Sequence, residues 1–327
     1  MFPTILLPTL LVIVGFVMLI KGADFLVNGA SSLAKRYNVS DIAIGLTVVA
    51  MGTSAPELVV NIISGSSGHN DVVFGNIIGS NIFNMFLILG VSSVIYPLTV
   101  QKNALWKEVP YSLIATIVLF LLVNDQLLFN HPSNIASFWD GIVLILMFGG
   151  FLYYVFKNMQ RTGDLGGDME EIEMYGSLKT TMMIVFGIGG LAFGGQLIVE
   201  NAIFIASAFD VSEKLIGLTI LAAGTSLPEL ATTAVAAFHK KSDLAVGNIV
   251  GSNIFNILLV LGSTAVLHAP LEYDVDLNID LFVVMIGTFM LFIFMFTLQK
   301  YKLDRAEGGL YLIGFAAYLM FLFYNRL

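Results

Sequence analysis

The sequence contains no cysteine and has few charged residues. Without cysteine, the chain can form no disulfide, and it offers no thiolate nucleophile or thiolate metal ligand. Charged residues make up 12% of its 327 positions and hydrophobic residues make up 57%, whereas soluble domains have about 25% and about 45–50%. Because so few polar groups could not cover a water-soluble protein of this size, the composition excludes a soluble globular domain and a disordered chain. It indicates an integral membrane protein.

Basic residues are scarcer than acidic ones. The chain has 15 lysines and arginines against 23 aspartates and glutamates, a formal net charge of −8. This balance argues against a nucleic-acid partner, and no feature of the sequence requires an obligate protein partner. The amino terminus continues into an apolar stretch without a basic leader or a small-residue cleavage site, which predicts a first transmembrane helix rather than a removed signal.

Apolar runs of about 20 residues, long enough to cross the hydrocarbon core of a bilayer, recur ten times along the chain. Pro56 and Pro228 interrupt the second and seventh runs, so that each is expected to form two half-helices. The sequence therefore predicts an all-α polytopic membrane protein of ten transmembrane helices, with helices 2 and 7 broken. The approximate limits of the runs are 4–27, 41–64, 72–96, 108–124, 136–157, 178–200, 213–238, 244–267, 279–299 and 308–325.

The basic residues are divided unequally between the two sides of the membrane. The loops that follow odd-numbered spans contain 12 of the 15, the opposite side contains only Lys214 and Arg326, and Lys21 lies within the first span. Because lysine and arginine concentrate in cytoplasmic loops, this division predicts a multi-pass protein of the cell membrane. Both termini are expected to lie outside the cytoplasm.

An internal repeat is the most specific feature of the sequence. Residues 45–84 align with residues 217–256 at a constant offset of 172, with 20 identities in 40 positions. Five predicted helices precede the first helix of the second copy, and an odd number inverts its direction of insertion, as in many secondary transporters. We therefore expect a first five-helix repeat at 1–160, an acidic cytoplasmic linker at 161–177 and a second, inverted repeat at 178–327.

The linker contains five acidic residues among glycines. Two interpretations are open: a regulatory cation site, or a solvated cytoplasmic connection, which is the more common role of such a charge run. The acidic residues are Asp164, Asp168, Glu170, Glu171 and Glu173.

Each copy of the repeat places a glutamate inside the membrane. A central acidic residue costs about 2.5–3.5 kcal/mol on insertion scales, and inverted copies would bring Glu57 and Glu229 together near the midplane. Two adjacent carboxylates repel each other, so either one of them takes a proton or a cation lies between them. An alternative is that each pairs with a buried base, for which Lys21 and Lys214 are the candidates.

Oxygen ligands surround these glutamates in the sequence. Thr53 and Ser54 precede Glu57 by four and three residues, on the same helical face, and Thr225 and Ser226 precede Glu229 in the same way. Each following proline removes a backbone donor and frees the carbonyl four residues earlier. Such carbonyls, those of Gly52 and Gly224, are tolerated at membrane depth only where protein, water or an ion satisfies them.

The repeated segment Gly-Ser-Asn-Ile-Phe-Asn adds further oxygens. Ser80 and Asn84 are one helical turn apart, as are Ser252 and Asn256, so each pair is expected to face one cavity. For a second set of asparagines, ion ligation and a hydrogen bond between helices are both open interpretations. These are Asn76, Asn81, Asn248 and Asn253.

This ligand chemistry favours a hard cation that moves. Calcium prefers six to eight oxygen ligands, whereas transition metals are disfavoured because no cysteine is present and the four histidines lie near loops, although manganese remains compatible. A site that divalent and monovalent cations neutralise in turn is what an antiporter needs. A channel with the same carboxylates is an alternative. An enzyme is disfavoured because no base is in register to activate a hydroxyl.

At these residues the chain resembles the cation/calcium exchanger superfamily. The hallmarks are inverted repeats that carry Gly-Thr-Ser-x-Pro-Glu and Gly-Ser-Asn-Ile-Phe-Asn, and both copies are present, with Ala55 and Leu227 as the variable residue. The resemblance is greatest to prokaryotic sodium/calcium exchangers related to the potassium-dependent branch. It implies a secondary antiporter that exchanges Ca²⁺ for Na⁺ by alternating access at the midplane. It implies no cofactor, only transported cations as partners beside the lipid.

The resemblance also implies roles for individual residues. Glu57 and Glu229 would be the central calcium ligands, assisted by Thr53 and Thr225, and the first and sixth helices would slide as a pair. Sodium-coupled members often carry aspartate at the position of Asn256, whereas proton-coupled members commonly carry asparagine, so Ca²⁺/H⁺ antiport is the alternative. The implied sodium ligands are Ala50, Ser54 and Ser252 in one direction, Ala222, Ser226 and Ser80 in the other, and Asn84 and Asn256 in the middle.

Overall fold

The structure is a computed structural model that describes residues 2–129, 132–158, 174–208 and 222–326. Within these ranges the chain is almost entirely helical, and two pairs of two-residue strands tie loops together. The helices are α1 Phe2–Arg36, α2 Asp41–Thr53, α3 Ala55–Ser66, α4 Asn70–Ile95, α5 Lys102–Val123, α6 Asp125–Phe129, α7 Phe138–Lys157, α8 Ser177–Ala208, α9 Ala222–Thr225, α10 Leu227–Phe238, α11 Ser242–His268, α12 Asn278–Phe294 and α13 Arg305–Arg326. The strands are β1 Leu98–Thr99, β2 Ile135–Ala136, β3 Leu271–Glu272 and β4 Lys302–Leu303; β1 pairs with β4 and β2 with β3, both antiparallel.

Eight of the described helices are long and apolar enough to cross a membrane, and a ninth span is formed by α2 and α3 together, which meet at an angle of 47°. They correspond to nine of the ten predicted spans. The seventh predicted span is represented by α9 and α10, while its residues 213–221, the acidic linker as far as residue 173, and Lys214 lie outside the described residues.

Several helix ends differ from the predicted limits. The first helix continues to Arg36 rather than ending near residue 27, and Lys35 and Arg36 form its last turn, where basic side chains interact favourably with the helix dipole. The sixth span extends to Ala208. The ninth ends at Phe294 rather than near 299, because the following segment turns back and pairs β4 with β1.

The two helix breaks have the same local geometry. Ser54 has φ −85° and ψ 7°, and Ser226 has φ −89° and ψ 4°, so each residue ends one helical segment and begins the next. Pro56 and Pro228 occupy the first turn of α3 and α10, where a missing backbone N–H leaves no hydrogen bond unmade. The prolines therefore start the second half-helix rather than kink a continuous one.

The central helices contain a second repeated irregularity. A π-helical stretch interrupts α4 at Phe83–Ile88 and α11 at Phe255–Leu261, and such wide turns are frequent at functional sites. In α11, 94% of the most apolar stretch is buried, compared with 72% in α4 and 17% in α13. The core is therefore built around α4 and α11, and the exposed apolar side chains of the outer helices are expected to face lipid.

Helices α1 and α8 pack along most of their length. A Cβ atom added at Gly187 of α8 would lie 2.7 Å from the backbone nitrogen of Leu26, and one added at Gly22 would lie 2.8 Å from that of Leu191. The hydroxyl groups of Ser32 and Thr180 are hydrogen-bonded at 3.2 Å near one end of the pair. Small residues that allow such close approach are typical of tightly packed membrane helices.

We expect Gly187→Ala to destabilise the protein by about 1–3 kcal/mol, because the added methyl group would push α8 away from the backbone of α1. The matched control is Gly189→Ala, two residues along α8, where a Cβ would have no neighbour within 4 Å. The free energy of unfolding, measured by denaturant titration in detergent micelles, should fall only for the first variant. Equal stabilities would contradict the close packing of the two helices.

Candidate cation-binding site

The helix breaks position the two membrane glutamates. Glu57 lies in the first turn of α3 and Glu229 in the first turn of α10, each three residues after the serine at the break. Both side chains are fully buried. The partial positive charge at a helix N-terminus favours a carboxylate in the first turn, so the breaks provide part of the environment that a buried acid requires.

The structure brings these two carboxyl groups together. Ser54, at the break beside Glu57, donates its hydroxyl hydrogen to Oε1 of Glu229 at 2.9 Å. Ser252 of α11 donates to the same oxygen at 3.5 Å, so the carboxyl group of Glu229 contacts the helix break that precedes Glu57. The predicted convergence of the two repeats on one pair of acids is therefore present in the geometry.

Seven further side-chain oxygens of the repeated motifs have no hydrogen-bond partner within the part of the chain that the structure describes. An unpartnered buried polar atom normally costs about 1–3 kcal/mol, and more if it is charged, so a group of them requires an explanation. Each of them is an oxygen atom that could coordinate a cation. They are Oε1 and Oε2 of Glu57, Oε2 of Glu229, Oγ of Ser80 and Ser226, and Oδ1 of Asn84 and Asn256.

The alternative in which a base neutralises each acid does not hold for Lys21. This lysine is exposed on α1 rather than buried beside the glutamates. Within the described ranges, no lysine or arginine is in ion-pair distance of Glu57 or Glu229. The other candidate, Lys214, falls outside those ranges. The two carboxylates thus share a buried region where a neighbour of opposite charge is expected.

The two acids differ in their hydrogen bonds. Glu229 accepts from Ser54 and Ser252, whereas the equivalent hydroxyls in the other repeat, those of Ser226 and Ser80, are unpartnered and do not bond to Glu57. Since hydroxyl donors stabilise an ionised carboxylate, the negative charge of Glu229 is partly supported by the protein. The side chain of Glu57 receives no such support from the described residues.

The threonines of the motif are held by asparagines across the repeats. The hydroxyl group of Thr53 donates to Oδ1 of Asn248 at 3.2 Å, and that of Thr225 donates to Oδ1 of Asn76 at 3.2 Å. The carbonyl oxygens of Val49 and Ala50 are also within hydrogen-bond distance of the Thr53 hydroxyl. Each threonine hydroxyl therefore donates to an amide oxygen of the other repeat.

The asparagines of the Gly-Ser-Asn-Ile-Phe-Asn segments are paired in the same reciprocal way. Asn84 donates its side-chain amide to Oδ1 of Asn253 at 2.9 Å, and Asn256 donates to Oδ1 of Asn81 at 3.1 Å. Of the two interpretations left open by the sequence for Asn76, Asn81, Asn248 and Asn253, the structure therefore shows hydrogen bonds between helices for all four.

The two alanines implied as sodium ligands are less well defined. The carbonyl oxygen of Ala50 already accepts the backbone N–H of Ser54 at 2.9 Å, and the hydroxyl of Thr53 is 3.3 Å away. A sodium ion at this atom would have to share an oxygen that already accepts a hydrogen bond. Ala222 is the first residue of α9, in the equivalent place in the second repeat.

Sequence reasoning missed Asn61. Its side-chain amide donates to the backbone carbonyl of Glu57 at 2.8 Å, it is fully buried, and its Oδ1 has no hydrogen-bond partner. Thr233 is the equivalent residue in the second repeat, and its hydroxyl accepts from Asn248 at 2.9 Å. A polar residue four positions after each glutamate was a signal that could have identified both.

Comparison with known proteins agrees with this geometry. A family model described as sodium/calcium exchanger protein matches residues 7–157 and 179–324. The chain belongs to the sodium/calcium exchanger family. The family is one of exchangers rather than enzymes, and the ions that its named members exchange are substrates, not resident cofactors.

Relatives match this exchanger-family chain over nearly its whole length. CaxA of Alkalimonas amylolytica, provisionally named an antiporter, is 38% identical over 97% of this chain and 99% of its own. The sodium/calcium exchanger MaX1 of Methanosarcina acetivorans is 31% identical over 96% of this chain and 98% of its own. The chain also aligns with a solved structure of the sodium-calcium exchanger NCX_Mj that was soaked with 10 mM Na⁺ and 10 mM Sr²⁺. The TM-score is 0.83, and the identity is 30% over 97% of this chain and 98% of that chain.

We expect Glu57→Gln and Glu229→Gln each to weaken Ca²⁺ binding by at least about tenfold, or about 1.4 kcal/mol, because each removes a charged ligand. In ion-free buffer, Glu57→Gln should raise the thermal midpoint of unfolding, since it removes a buried charge that lacks a partner. Equilibrium binding of ⁴⁵Ca²⁺ and thermal unfolding with and without Ca²⁺ measure both effects.

The control for these variants is Glu108→Gln. Glu108 is also a buried glutamate, 8% exposed, but it accepts a hydrogen bond from Tyr154 at 2.8 Å on other helices. Its Ca²⁺ affinity should equal that of the unmodified protein. Normal Ca²⁺ binding by both site variants, or an equal loss in the control, would contradict the location of the site.

Proposed function

We propose that the protein is a secondary active antiporter that exchanges Ca²⁺ for Na⁺ across the membrane by alternating access at the Glu57–Glu229 pair. The observation that carries this proposal is that two fully buried carboxyl groups, one from each repeat, have three unpartnered oxygens and no basic neighbour among the described residues. The exchanger relatives and the likeness to NCX_Mj support the same ions.

The ligand set follows from the positions of the oxygens. Glu57, Glu229, Thr53 and Thr225 would bind Ca²⁺, which prefers six to eight oxygen ligands. Water and backbone carbonyls would complete the shell. Na⁺ would use the same carboxylates together with the oxygens of Ala50, Ser54, Ser80, Asn84, Ala222, Ser226, Ser252 and Asn256.

Charge balance explains why exchange is coupled. Two ionised carboxylates carry a charge of −2, which either one Ca²⁺ ion or two Na⁺ ions neutralise. Without either ion, the pair would remain as uncompensated buried charge, whose desolvation costs several kcal/mol. The empty site therefore opposes the switch between the two sides. After one ion has left, the site returns across the membrane only once the other ion has bound.

The proposed architecture is ten transmembrane helices in two inverted five-helix repeats, at 1–160 and 178–327, joined by the linker at 161–177. It is supported by the matching breaks at Ser54 and Ser226 and by hydrogen bonds that cross between the repeats in equivalent pairs. Helices α1 and α8 would slide as a unit across the site, since they pack closely on each other.

We place the protein in the cell membrane, with both termini outside and the linker in the cytoplasm. Because the chain has no cysteine, a single introduced cysteine reports its own location without background. In right-side-out vesicles, a membrane-impermeant maleimide should label Asn325→Cys and leave Gly167→Cys unlabelled. The opposite pattern would contradict the orientation. Labelling of both variants or of neither would contradict an odd number of spans between the linker and the carboxyl terminus.

The decisive experiment for exchange is ⁴⁵Ca²⁺ uptake into proteoliposomes. Vesicles loaded with Na⁺ and diluted into Na⁺-free medium should accumulate ⁴⁵Ca²⁺, and uptake should stop when the Na⁺ gradient is collapsed. A pH gradient alone should drive none, because the named exchanger relatives support Na⁺ as the counter-ion. Uptake driven only by the pH gradient would establish Ca²⁺/H⁺ antiport instead.

A further inference from the structure

Two asparagines of the repeated Gly-Ser-Asn-Ile-Phe-Asn segments have no role in the ligand set above. Asn81 and Asn253 lie three residues before Asn84 and Asn256, and therefore on nearly the same helical face. All four side chains are buried, with at most 1% of their surface exposed. Each accepts or donates across the boundary between the repeats rather than within its own repeat.

The hydrogen bonds determine which end of each ligand amide faces the site. Asn84 donates its amide nitrogen to Oδ1 of Asn253, and Asn256 donates its own to Oδ1 of Asn81. As a result, the carbonyl oxygens of Asn84 and Asn256 are left without a partner. A side-chain amide has both an acceptor end and a donor end, and here the donor end is occupied in both repeats.

The opposite orientation would be favoured if these acceptors were absent. Ser252, which contacts Glu229, lies one helical turn before Asn256, and the nearby carboxyl groups present unpartnered acceptors. An amide N–H bonded to a carboxylate is stronger than one bonded to a neutral oxygen. An unheld amide would therefore turn its N–H group toward the acids, and would place a donor where a cation needs an oxygen.

We propose that Asn81 and Asn253 are positioning residues that hold the amides of Asn256 and Asn84 with their carbonyl oxygens toward the transported ions. This inference rests on the proposed exchange function and adds to it the means by which a neutral amide is made an effective ligand. Each repeat then orients a ligand of the other. The amide oxygens of Asn84 and Asn256 therefore point toward the ions only when both repeats are packed together.

The two positioning residues are not equally constrained. Asn81 also donates its own amide to the backbone carbonyl of Asn253 at 3.4 Å, whereas the amide nitrogen of Asn253 has no partner. Replacing Asn81 would thus remove two hydrogen bonds between the repeats, and replacing Asn253 would remove one side-chain acceptor. Asn253 gives the cleaner test for this reason.

The test compares Asn253→Leu in two backgrounds. In the otherwise unmodified chain, the loss of the acceptor should raise the KM for ⁴⁵Ca²⁺ uptake by about 10-fold to 100-fold, as is typical when the support of a metal ligand is removed. In the Asn84→Asp background the ligand has an oxygen at both ends and needs no orientation, so the same substitution should change KM by less than about threefold. A purely structural role would give the same factor in both backgrounds.

Two controls separate positioning from folding. Asn124→Leu removes another buried amide, which is bonded to Asn278 and Phe120 outside the site, and it should lower stability without changing KM. If Asn253→Leu does not fold, the equivalent comparison of Asn81→Leu with and without Asn256→Asp gives the same pattern. Equal factors in both backgrounds, or an unchanged KM after Asn253→Leu, would overturn the positioning role.

Equilibrium binding of ⁴⁵Ca²⁺ to the purified protein distinguishes this proposal from the proposed function. If the unmodified protein binds ⁴⁵Ca²⁺ but no Na⁺ gradient drives uptake, the exchange assignment fails. The positioning role is then still decided by the dissociation constants for ⁴⁵Ca²⁺ of four proteins: the unmodified chain, Asn253→Leu, Asn84→Asp and the double variant. A background-dependent loss of affinity would support that role. A loss of equal size in both backgrounds would overturn it.

Discussion

The structure depends on the burial of two carboxyl groups, one from each repeat, and no basic side chain among the described residues forms an ion pair with either of them. Glu57 and Glu229 are fully buried, and three of their four oxygens have no hydrogen-bond partner. An uncompensated pair of this kind would cost more than most single interactions contribute to stability. The proposed exchange function follows from this cost, because a bound cation would remove it.

Other features of the fold support this pair. The helix breaks at Ser54 and Ser226 end one segment and begin another, so that each glutamate lies in a first helical turn. The π-helical stretches that begin at Phe83 and Phe255 contain Asn84 and Asn256, the two asparagines proposed as ligands. Hydrogen bonds that cross between the repeats occupy the amide nitrogens of Asn84 and Asn256, and their side-chain oxygens have no partner among the described residues.

Much of this could be predicted from sequence because the relevant signals are local or repeated. Hydropathy located the spans, Pro56 and Pro228 indicated the two breaks, and the constant offset of 172 predicted that Glu57 and Glu229 would meet. The end of the first helix at Arg36 was missed, because hydropathy marks the part of a helix inside the bilayer rather than its full length. Lys21 was one of two candidates in the alternative of a buried base, and it is exposed on α1.

The details of the site depended on three-dimensional contacts. The pairing of Asn84 with Asn253, the different hydrogen bonds of Glu57 and Glu229, and the role of Asn61 require knowledge of which side chains meet across the repeats. A linear pattern identifies residue types but does not specify which atom of an amide or hydroxyl faces a neighbour. That direction decides whether a polar residue binds a cation or excludes it.

The most direct test of the central claim is the position of a bound divalent ion. Crystals soaked in Sr²⁺, a heavier analogue of Ca²⁺, should show an anomalous peak between the carboxyl groups of Glu57 and Glu229, and an excess of Na⁺ should remove it. A Sr²⁺ peak bound elsewhere, or carboxyl groups that each pair with a basic side chain and bind no ion, would contradict the account.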